Sequence, residues 1–320
     1  MFFNKFKIGF QVQIGTLILS MAPLIIIGIV SYVSGRHIII DRVQSHLQSV
    51  AILKKQTIDN WIDHQMHTAS WIAEEKSVIQ SLEKLMYFFN DEHPIPQHLK
   101  KSLNEQLSVI IKLDHISKIS ILHPETGQII FSSDPFMEGQ FRTQEKFFQE
   151  GKKELFISEI FLTVSRPIPT LILSKPVKNG QGNVICVMTL NSNLNDLSKI
   201  MLERTGLSKT TETFLVNKSN LLITNTVFEP EGAFKKWIFG QGAMRALAGE
   251  NGVGQFVDYR NKRVMGAFRW LEQSNMALIA KADETEVFAP VAALRNTIIV
   301  IAAVVVIFVV VLSLLLTRSI

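Results

Sequence analysis

The sequence predicts an α+β fold in which a long N-terminal helix carries two tandem antiparallel-sheet domains between two transmembrane helices. Two uncharged stretches, 8–35 and 296–317, bracket the chain. Each reaches the roughly 20 residues that a helix needs to cross a hydrocarbon core. A long helical pattern without proline or glycine follows the first stretch, and the remaining segment alternates with the two-residue period of strands in two similar rounds.

The composition fits a module held between two apolar anchors. Hydrophobic residues make up 47% of the 320 residues, and the two uncharged stretches account for much of this high fraction. The segment between them is long enough for two domains of about 100 residues each. The net charge is +5, but the basic residues are scattered and form no run with interleaved aromatic residues. This distribution disfavours nucleic-acid binding.

Flanking charges predict how the chain crosses the membrane. Lys5 and Lys7 precede the first span, predicted over residues 10–33, and Arg318 follows the second, predicted over residues 296–316. The positive-inside tendency therefore places the tail of residues 1–9 and the C-terminal end in the cytoplasm, with residues 34–295 outside. A cleaved signal peptide is the alternative for the first stretch, but its apolar region is long and no small-x-small pattern follows it.

Residues 34–90 are predicted to form one long amphipathic helix, a stalk that continues the first membrane helix outward. The apolar residues of this segment recur on one stripe, at Val43, Leu47, Val50, Ile58, Trp61, Ile62, Ile72, Ile79 and Leu82. Such a stripe needs a partner, either the sheet domains or a second copy of the helix. Pro94 and Pro96 end the pattern. A second helix is predicted from Gln97 to Leu113.

Residues 91–205 are predicted to form the first sheet domain. Strands are expected over 119–122, 128–131, 155–162, 170–177 and 183–191, with helices over 143–151 and 194–203. The segment Lys178–Gly182 joins the last two strands and has the composition of a hairpin turn. The only cysteine, Cys186, lies in an apolar run and is predicted to be buried on a strand.

Residues 206–283 are predicted to form a second, smaller round of the same order. Strands are expected over 213–216, 221–226, 253–259, 264–270 and 276–282, with a short helix over 243–248. The repeated order of strand, strand, helix and three strands indicates a duplicated α+β module. Residues 284–295 are predicted to connect this domain to the second span as a helix, with Pro290 as the expected position of a kink.

This arrangement resembles the double Cache extracytoplasmic sensor domains of bacterial transmembrane receptors over nearly the whole chain. The most specific portion, Ser174–Ile185, is similar to a hairpin of the membrane-distal half of that family, and the segment 259–290 is similar to the approach to the second membrane span. Residues 317–320 resemble the start of a HAMP linker. The resemblance implies two PAS-like domains on the long helix, a membrane-distal Cache domain over 91–205 that holds a small molecule and a membrane-proximal one over 206–283.

The resemblance also bears on which ligand the distal domain takes. A known amino-acid-binding version carries an arginine two positions before a tryptophan–tyrosine pair, and the matching positions here are Glu145, Phe147 and Phe148. An aspartate later in that motif falls near Asn191. These departures argue against the family's amino-acid mode, although Arg142 is close enough in sequence to compensate.

Eight residues are candidates for the lining of the distal pocket, because they combine apolar walls with a few polar groups. The candidates are Arg142, Phe147, Phe148, Ser158, Glu159, Arg166, Lys175 and Asn191. The alternative for each is structural, with the phenylalanines in the core and the charged side chains on the surface.

Nothing in the sequence indicates catalysis, and we expect no cofactor and no metal. His64 and His67 are three residues apart on the stalk, but Asp63 points away from them. The glycines of residues 249–254 precede a strand rather than a helix, which disfavours a phosphate loop. The chain also lacks a Gly-x-Ser-x-Gly elbow and a His-Glu-x-x-His helix.

These features predict the ligand-sensing input portion of a bacterial transmembrane receptor in the inner membrane, and among receptors we favour a sensor histidine kinase with its kinase domain beyond this chain. The expected partners are a small molecule (an organic acid, amino acid or amine), the membrane and a second copy of the chain paired through the stalk. Three alternatives remain: the input half of a methyl-accepting chemoreceptor, that of a diguanylate cyclase, and a stand-alone membrane-anchored binding protein. An extracytoplasmic enzyme is a more distant one.

Overall fold

The computed structural model describes residues 8–113, 116–162, 169–192, 194–203 and 208–319. Its helices are α1 (Ile8–Glu74), α2 (Lys76–Asn90), α3 (Gln97–Leu113), α4 (Lys146–Gly151), α5 (Asn195–Leu202), α6 (Gln241–Leu247), α7 (Glu284–Val287) and α8 (Ala289–Ser319). Its strands are β1 (Ile116–Leu122), β2 (Ile129–Ser132), β3 (Phe156–Ile157), β4 (Phe161–Leu162), β5 (Pro169–Lys178), β6 (Val184–Ser192), β7 (Glu212–Asn217), β8 (Gly252–Val257), β9 (Arg263–Leu271) and β10 (Met276–Asp283). The strands form two antiparallel sheets beside the long first helix, so the predicted α+β architecture is confirmed.

The stalk is formed by α1 and α2. Helix α1 has 67 residues, which corresponds to a length of about 100 Å. Its predicted stripe is confirmed, since Leu47, Ile58, Ile62 and Ile72 are all buried against the sheets. The expected unbroken helix over 34–90 is corrected at Glu75, which has extended backbone angles (φ −69°, ψ 120°) and separates α1 from α2. No proline or glycine marks this break, so packing against the first sheet overrides the local helical preference.

Contacts along α1 give the order of the two sheets along the stalk. The Arg36 guanidinium lies 5.4 Å from the ring of Phe288, just beyond the second sheet. Glu74, at the far end of α1, pairs with Lys175 of β5 at 2.7 Å. The second sheet therefore lies nearer the apolar start of α1. We call residues 116–203 the distal unit and residues 208–283 the proximal unit.

The distal unit has a sheet of order β2-β1-β6-β5-β3, with β4 pairing the far end of β5. The predicted hairpin between β5 and β6 is confirmed: the Asn179 side chain accepts hydrogen bonds from the amides of Gln181 and Asn183, and Gly182 has φ +84°. The single strand expected over 155–162 is instead the two short strands β3 and β4. Between them, Ser158 is tied to the backbone of β5, and the chain leaves the ladder there.

The proximal unit has a four-stranded sheet of order β7-β10-β9-β8. The strand expected over 221–226 is wrong. That segment makes only single bridges, from Leu222 to Val216 and from Leu221 to Trp237, because its amides donate to separate acceptors and not to one neighbouring strand. The second round therefore has one strand fewer than the duplication predicts.

Two helices in the described part of the chain are long and apolar enough to cross a membrane. They lie in Ile18–Glu74 and Ala289–Leu312, and their most apolar windows have mean hydropathies of 2.0 and 2.7 and no buried residues. The two helices meet at glycines, since a Cβ on Gly28 would lie 3.0 Å from Ile298 and one on Gly35 would lie 3.2 Å from Leu294. Small residues allow such close approach of membrane helices.

The helix before the second apolar segment is interrupted once. Helix α7 ends at Val287, Phe288 forms a turn and α8 starts at Ala289. Pro290 therefore stands in the first turn of α8, where its missing N–H has no helical partner to lose. The expected kink at Pro290 is a break between two helices.

Candidate ligand-binding site

Side chains alternate between the two faces of the distal sheet, and this alternation decides which of them can meet a ligand. On the central strand β6, Met188 and Leu190 belong to the core that the sheet shares with the stalk. The residues that alternate with them are Val187, Thr189 and Asn191, and these lie on the opposite side of the sheet. There, Val187 joins a second apolar cluster. We call this second side the outer face.

Helix α4 covers part of the outer face. Phe147 and Phe148 are both buried in the cluster that contains Val187 and Ile172. The helix lies so close to β5 that a Cβ on Gly151 would come within 2.2 Å of the Ser174 hydroxyl oxygen. Because Phe148 has no exposed surface, it forms the core beneath the helix, and Phe147 is almost as enclosed.

A row of hydroxyl side chains crosses the outer face beside this cluster. The pairing register places Ser132, Ser120, Thr189 and Ser174 side by side on the four neighbouring strands β2, β1, β6 and β5. All four are buried. The hydroxyls of Ser120 and Ser132 share a hydrogen bond of 2.9 Å, and Ser174 donates to the Phe147 carbonyl at 2.6 Å. Sequence reasoning missed this row, although a serine between Ile119 and Ile121 already indicates a polar position on the outer face.

Asn191 lies one row further along the outer face. It is 7% exposed, and its cross-strand neighbours are Ile172 on one side and Lys118 on the other. Within the described ranges, its side-chain amide has no hydrogen-bonding partner. An amide carries both donors and an acceptor, so this side chain can bind a ligand on the outer face.

Ser158 and Glu159 lie at the edge of the sheet next to Ile172. The Ser158 hydroxyl accepts from the Ile172 amide at 2.9 Å and lies 2.8 Å from the Glu159 carbonyl oxygen. Ser158 therefore holds the β3–β5 edge together, and Glu159 is exposed. The structure brings Phe147, Phe148, Ser158 and Asn191 together around Ile172.

Two predicted residues, Arg142 and Lys175, are not brought together with this group. Arg142 is half-buried beside the β1–β2 turn, and its guanidinium donates to Gln140 at 2.6 Å. Arg166 lies outside the described residues. Lys175 is a correction: it faces the stalk and forms the ion pair with Glu74, because it follows the outward-facing Ser174 by one residue.

Other features of the described chain offer less to a ligand. A groove of about 590 Å³ opens at the α2–α3 turn, lined by Phe89, Asn90, Glu92, His93, Ile95 and Lys100. The cation of this groove is already paired, since Lys100 contacts Glu138 at 2.6 Å. Cys186 is buried on a strand, as predicted, and burial raises the pKa of its thiol. No described group of three or more His, Cys, Asp or Glu side chains is placed to hold a metal ion.

Two antiparallel sheets lie against one long helix, and a membrane-capable helix lies on either side of them in the described chain. The chain belongs to the Cache domain family. The family model matches residues 35–291, which is most of the 320 residues and includes both sheets. The double Cache resemblance is therefore confirmed.

Solved structures with the same fold are sensor domains of bacterial receptors. The sensor domain of the Vibrio cholerae histidine kinase DctB has a TM-score of 0.57 at 10% identity, over 76% of this chain and 98% of that one. The ligand-binding domain of the Campylobacter jejuni chemoreceptor Tlp3 with 4-methylisoleucine has a TM-score of 0.60 at 12% identity, over 79% and 95%.

A third structure, the Pseudomonas aeruginosa chemoreceptor PctC with GABA, has a TM-score of 0.54 at 15% identity, over 75% of this chain and 100% of that one. At these identities the likeness establishes the fold. A search of curated proteins found no match.

Proposed function

We propose that this chain is the ligand-sensing input portion of a bacterial transmembrane signal-transduction receptor, and that it binds a small molecule on the outer face of its distal unit. Among receptor classes we favour a sensor histidine kinase in the inner membrane. The two sheets act as tandem PAS-like domains, and a HAMP-type linker after α8 passes the signal to an output domain.

The side-chain amide of Asn191, which forms no hydrogen bond with another described residue, is the observation that carries the proposed site. It is buried on the face that the stalk does not cover, between the hydroxyl row and the edge held by Ser158. A ligand in this place would give the amide the hydrogen bonds that the described chain does not. The apolar cluster under α4 would supply one wall of the pocket.

The neighbouring side chains suggest the chemistry of the ligand. Lys118, in register with Asn191, brings a positive charge to the same row. The position of the family's carboxylate-binding arginine is held by Glu145, at the exposed start of α4. We therefore propose an organic acid, amino acid or amine of few carbons that is held by the amide instead of by that arginine.

A thermal-shift screen of the full chain in detergent tests this proposal. The compounds are amino acids, organic acids, amines and purines, and a binder raises the unfolding temperature by mass action. We expect Asn191→Ala to lose about fivefold or more in affinity for any binder, as removal of a hydrogen-bonding partner costs about 1–3 kcal/mol.

Lys175→Ala is the matched control, because Lys175 lies on the same sheet but faces the stalk. It should bind as the wild type does. Equal affinity of wild type and Asn191→Ala for every binder would show that the ligand site is elsewhere, and the groove at the α2–α3 turn would be the next place to examine.

We also propose that two copies pair through the stalk. Leu53 and Trp71 are 61% and 56% exposed. They are 18 positions apart in sequence, which corresponds to five helical turns, so they share one side of α1. Leu53→Cys and Trp71→Cys should form intermolecular disulfides in membranes, whereas Gln48→Cys, exposed on another side of α1, should not. Equal yields from all three would mean random collision rather than a dimer.

The comparisons also keep a chemoreceptor open as the receptor class, since Tlp3 and PctC share the fold. A diguanylate cyclase or a stand-alone anchored binding protein would use the same input portion. The gene sequence downstream of Ile320 decides between them, through a kinase H-box helix, a long methylated coiled coil, a GGDEF motif or none of these.

A further inference from the structure

The proximal sheet buries a lysine on the face that corresponds to the outer face of the distal sheet. Ala277 and Ile279 of β10 pack under α6, and Lys281, two residues further, lies on the same side. Lys281 is 0% exposed. Burial of a charged ammonium is very unfavourable unless it is paired and hydrogen-bonded.

The surroundings of Lys281 are arranged around its ammonium group. Its Nζ donates a hydrogen bond to Asp258 Oδ2 and forms an ion pair with Glu212 Oε1, each at 2.6 Å. The rings of Tyr259 and Phe228 lie 4.9 Å and 5.5 Å from the same nitrogen. Two carboxylates and two aromatic rings are the groups by which proteins recognise free ammonium ligands. We call Glu212, Asp258, Tyr259 and Phe228 the ammonium cage.

Further hydrogen bonds fix the cage in place. The Tyr259 hydroxyl donates to Glu212 Oε1 at 2.9 Å, and Arg260 Nε donates to Asp258 Oδ2 at 2.7 Å. Burial opposes ionisation of Asp258, but the hydrogen bonds from Lys281 and Arg260 outweigh it and hold the pKa of this carboxyl below its usual value. Glu212 Oε2 is buried and has no hydrogen-bonding partner in the described chain. The cage therefore has one further acceptor for an ammonium hydrogen.

The pairing register relates this cage to the proposed distal site. In the distal sheet, Asn191 near the end of the central strand stands opposite Lys118 near the start of β1. In the proximal sheet, Lys281 near the end of the central strand stands opposite Glu212 at the start of β7. The same place on the two sheets thus holds an amide without a hydrogen bond to any described residue in one unit and an ion-paired lysine in the other.

We infer that the proximal unit is a primary-ammonium site that the chain fills with its own Lys281, so that this unit takes up no free ligand. The cage is also tied to the exit toward the membrane, because Arg260 pairs with Asp283, the last residue of β10 before α7. A permanently filled cage would keep that exit in one conformation. The inference does not depend on where the distal ligand binds.

Replacement of the tethered ammonium by a free one tests the inference. Lys281→Ala removes Cγ, Cδ, Cε and Nζ, and n-propylammonium contains the same atoms. In the full chain in detergent, we expect Lys281→Ala to unfold at a lower temperature than the wild type. n-Propylammonium should restore that temperature in a saturable manner, with a far smaller effect on the wild type. n-Propanol, which has the same shape without the charge, should restore nothing.

Two variants control for other causes. Lys281→Met fills the cage with an uncharged chain of similar length, so n-propylammonium should not rescue it. Asn191→Ala combined with Lys281→Ala should be rescued as well as Lys281→Ala alone, which separates the cage from the distal site. Rescue of Lys281→Met, or loss of rescue in the Asn191→Ala background, would overturn the inference.

Expression in the presence of n-propylammonium covers the case in which Lys281→Ala does not fold. Folded protein should then be recovered in greater yield with n-propylammonium than with n-propanol. A recovery that is no better with the amine, including none with either compound, would mean that Lys281 is an ordinary buried ion pair and that no ammonium site exists.

Discussion

The neutral amide of Asn191 influences which charged groups the proposed distal ligand can carry. An aspartate at this place would present a buried carboxylate, which favours an ammonium group and disfavours a ligand that is only an anion. We expect Asn191→Asp to raise affinity for amines and amino acids by about tenfold and to lower affinity for simple organic acids, because hydrogen bonds to charged groups contribute about 1.5–3 kcal/mol. Calorimetric titration of the compounds that bind in the screen measures both changes in affinity. An unchanged order of affinities would remove Asn191 from the site.

Gly151 is the residue that lets α4 approach the outer face. A methyl group there would overlap the Ser174 hydroxyl, so Gly151→Ala should destabilise the chain by about 1–3 kcal/mol, the usual cost of overpacking. Thermal unfolding in detergent measures this change. Gly180→Ala is the control, because no heavy atom lies within 4 Å of a Cβ at Gly180. Equal effects from the two substitutions would mean that α4 is not held against β5.

The misplaced Lys175 shows why the candidate site could be predicted only in part. Strand β5 is buried on both faces, so residues 171–174 are all enclosed and no alternation of polar and apolar types reveals which residue faces the stalk. The family resemblance predicted Asn191, Phe147 and Phe148 as candidates. The sequence did not predict the cage around Lys281, because its members come from three separate segments that only the folded sheet brings together.

At the scale of elements, helices and hairpins were predictable where local chemistry decides them. Helix α3 begins and ends at the predicted residues, Gln97 and Leu113. The break at Glu75 and the missing strand at 221–226 depend on tertiary packing and on scattered loop hydrogen bonds, which the local pattern does not contain.

One lysine of the stalk binds the end of helix α5. Lys54 of α1 donates to the carbonyls of Ile200 and Glu203 at the end of α5. A cation at this end of a helix satisfies carbonyls that lack helical partners, and it interacts favourably with the negative end of the helix dipole. Burial lowers the pKa of Lys54, against the attraction of Glu203. The distal unit is thus joined to the stalk at the point where the chain leaves it.

Glu286 of α7 binds residues 208–210 close to the start of the second apolar helix. Its carboxylate accepts from the amides of Lys209 and Thr210, at 2.9 Å and 2.7 Å, and from the hydroxyls of Ser208 and Thr210. The hydrogen bonds from Thr210, together with those from Lys209 and Ser208, outweigh desolvation and lower the pKa of Glu286 to about 2.

A pH titration tests the Glu286 contact. Because the pKa is lower in the folded chain than the usual 4.5, the contribution to stability is present above pH 4.5 and is lost as the pH falls toward about 2. The unfolding temperature of Glu286→Gln should therefore lie below that of the wild type above pH 4.5, and the difference should shrink toward pH 2. The effect is modest, since the side chain is partly exposed to solvent.

Glu231→Gln is the control for this titration, because the Glu231 side chain is 89% exposed. Its unfolding temperature should follow the wild type at every pH. A difference between wild type and Glu286→Gln that does not vary with pH would show that the carboxylate charge of Glu286 has no role in the contact.

At the scale of the whole molecule, these contacts form a route between the two ends of the chain. The distal sheet connects through α5 to Lys54 on the stalk, and residues 208–210 connect to Glu286 at the entrance to α8. The two apolar helices lie side by side at Gly28 and Gly35. We therefore propose that a ligand that favours one packing of the distal unit shifts α8 against α1 by a small amount, such as the 1–2 Å typical of helix shifts.

Disulfide formation between α1 and α8 tests this central claim most directly. The pairs Gly28→Cys/Ile298→Cys and Gly35→Cys/Leu294→Cys face each other across the two helices, and the native Cys186 is buried and should not interfere. The rates of the two pairs are compared in membranes, with and without a binder from the screen. We predict that the binder changes the ratio of the two rates, and that Asn191→Ala abolishes the change. An unchanged ratio, under conditions where the same chain binds the compound, would contradict the account.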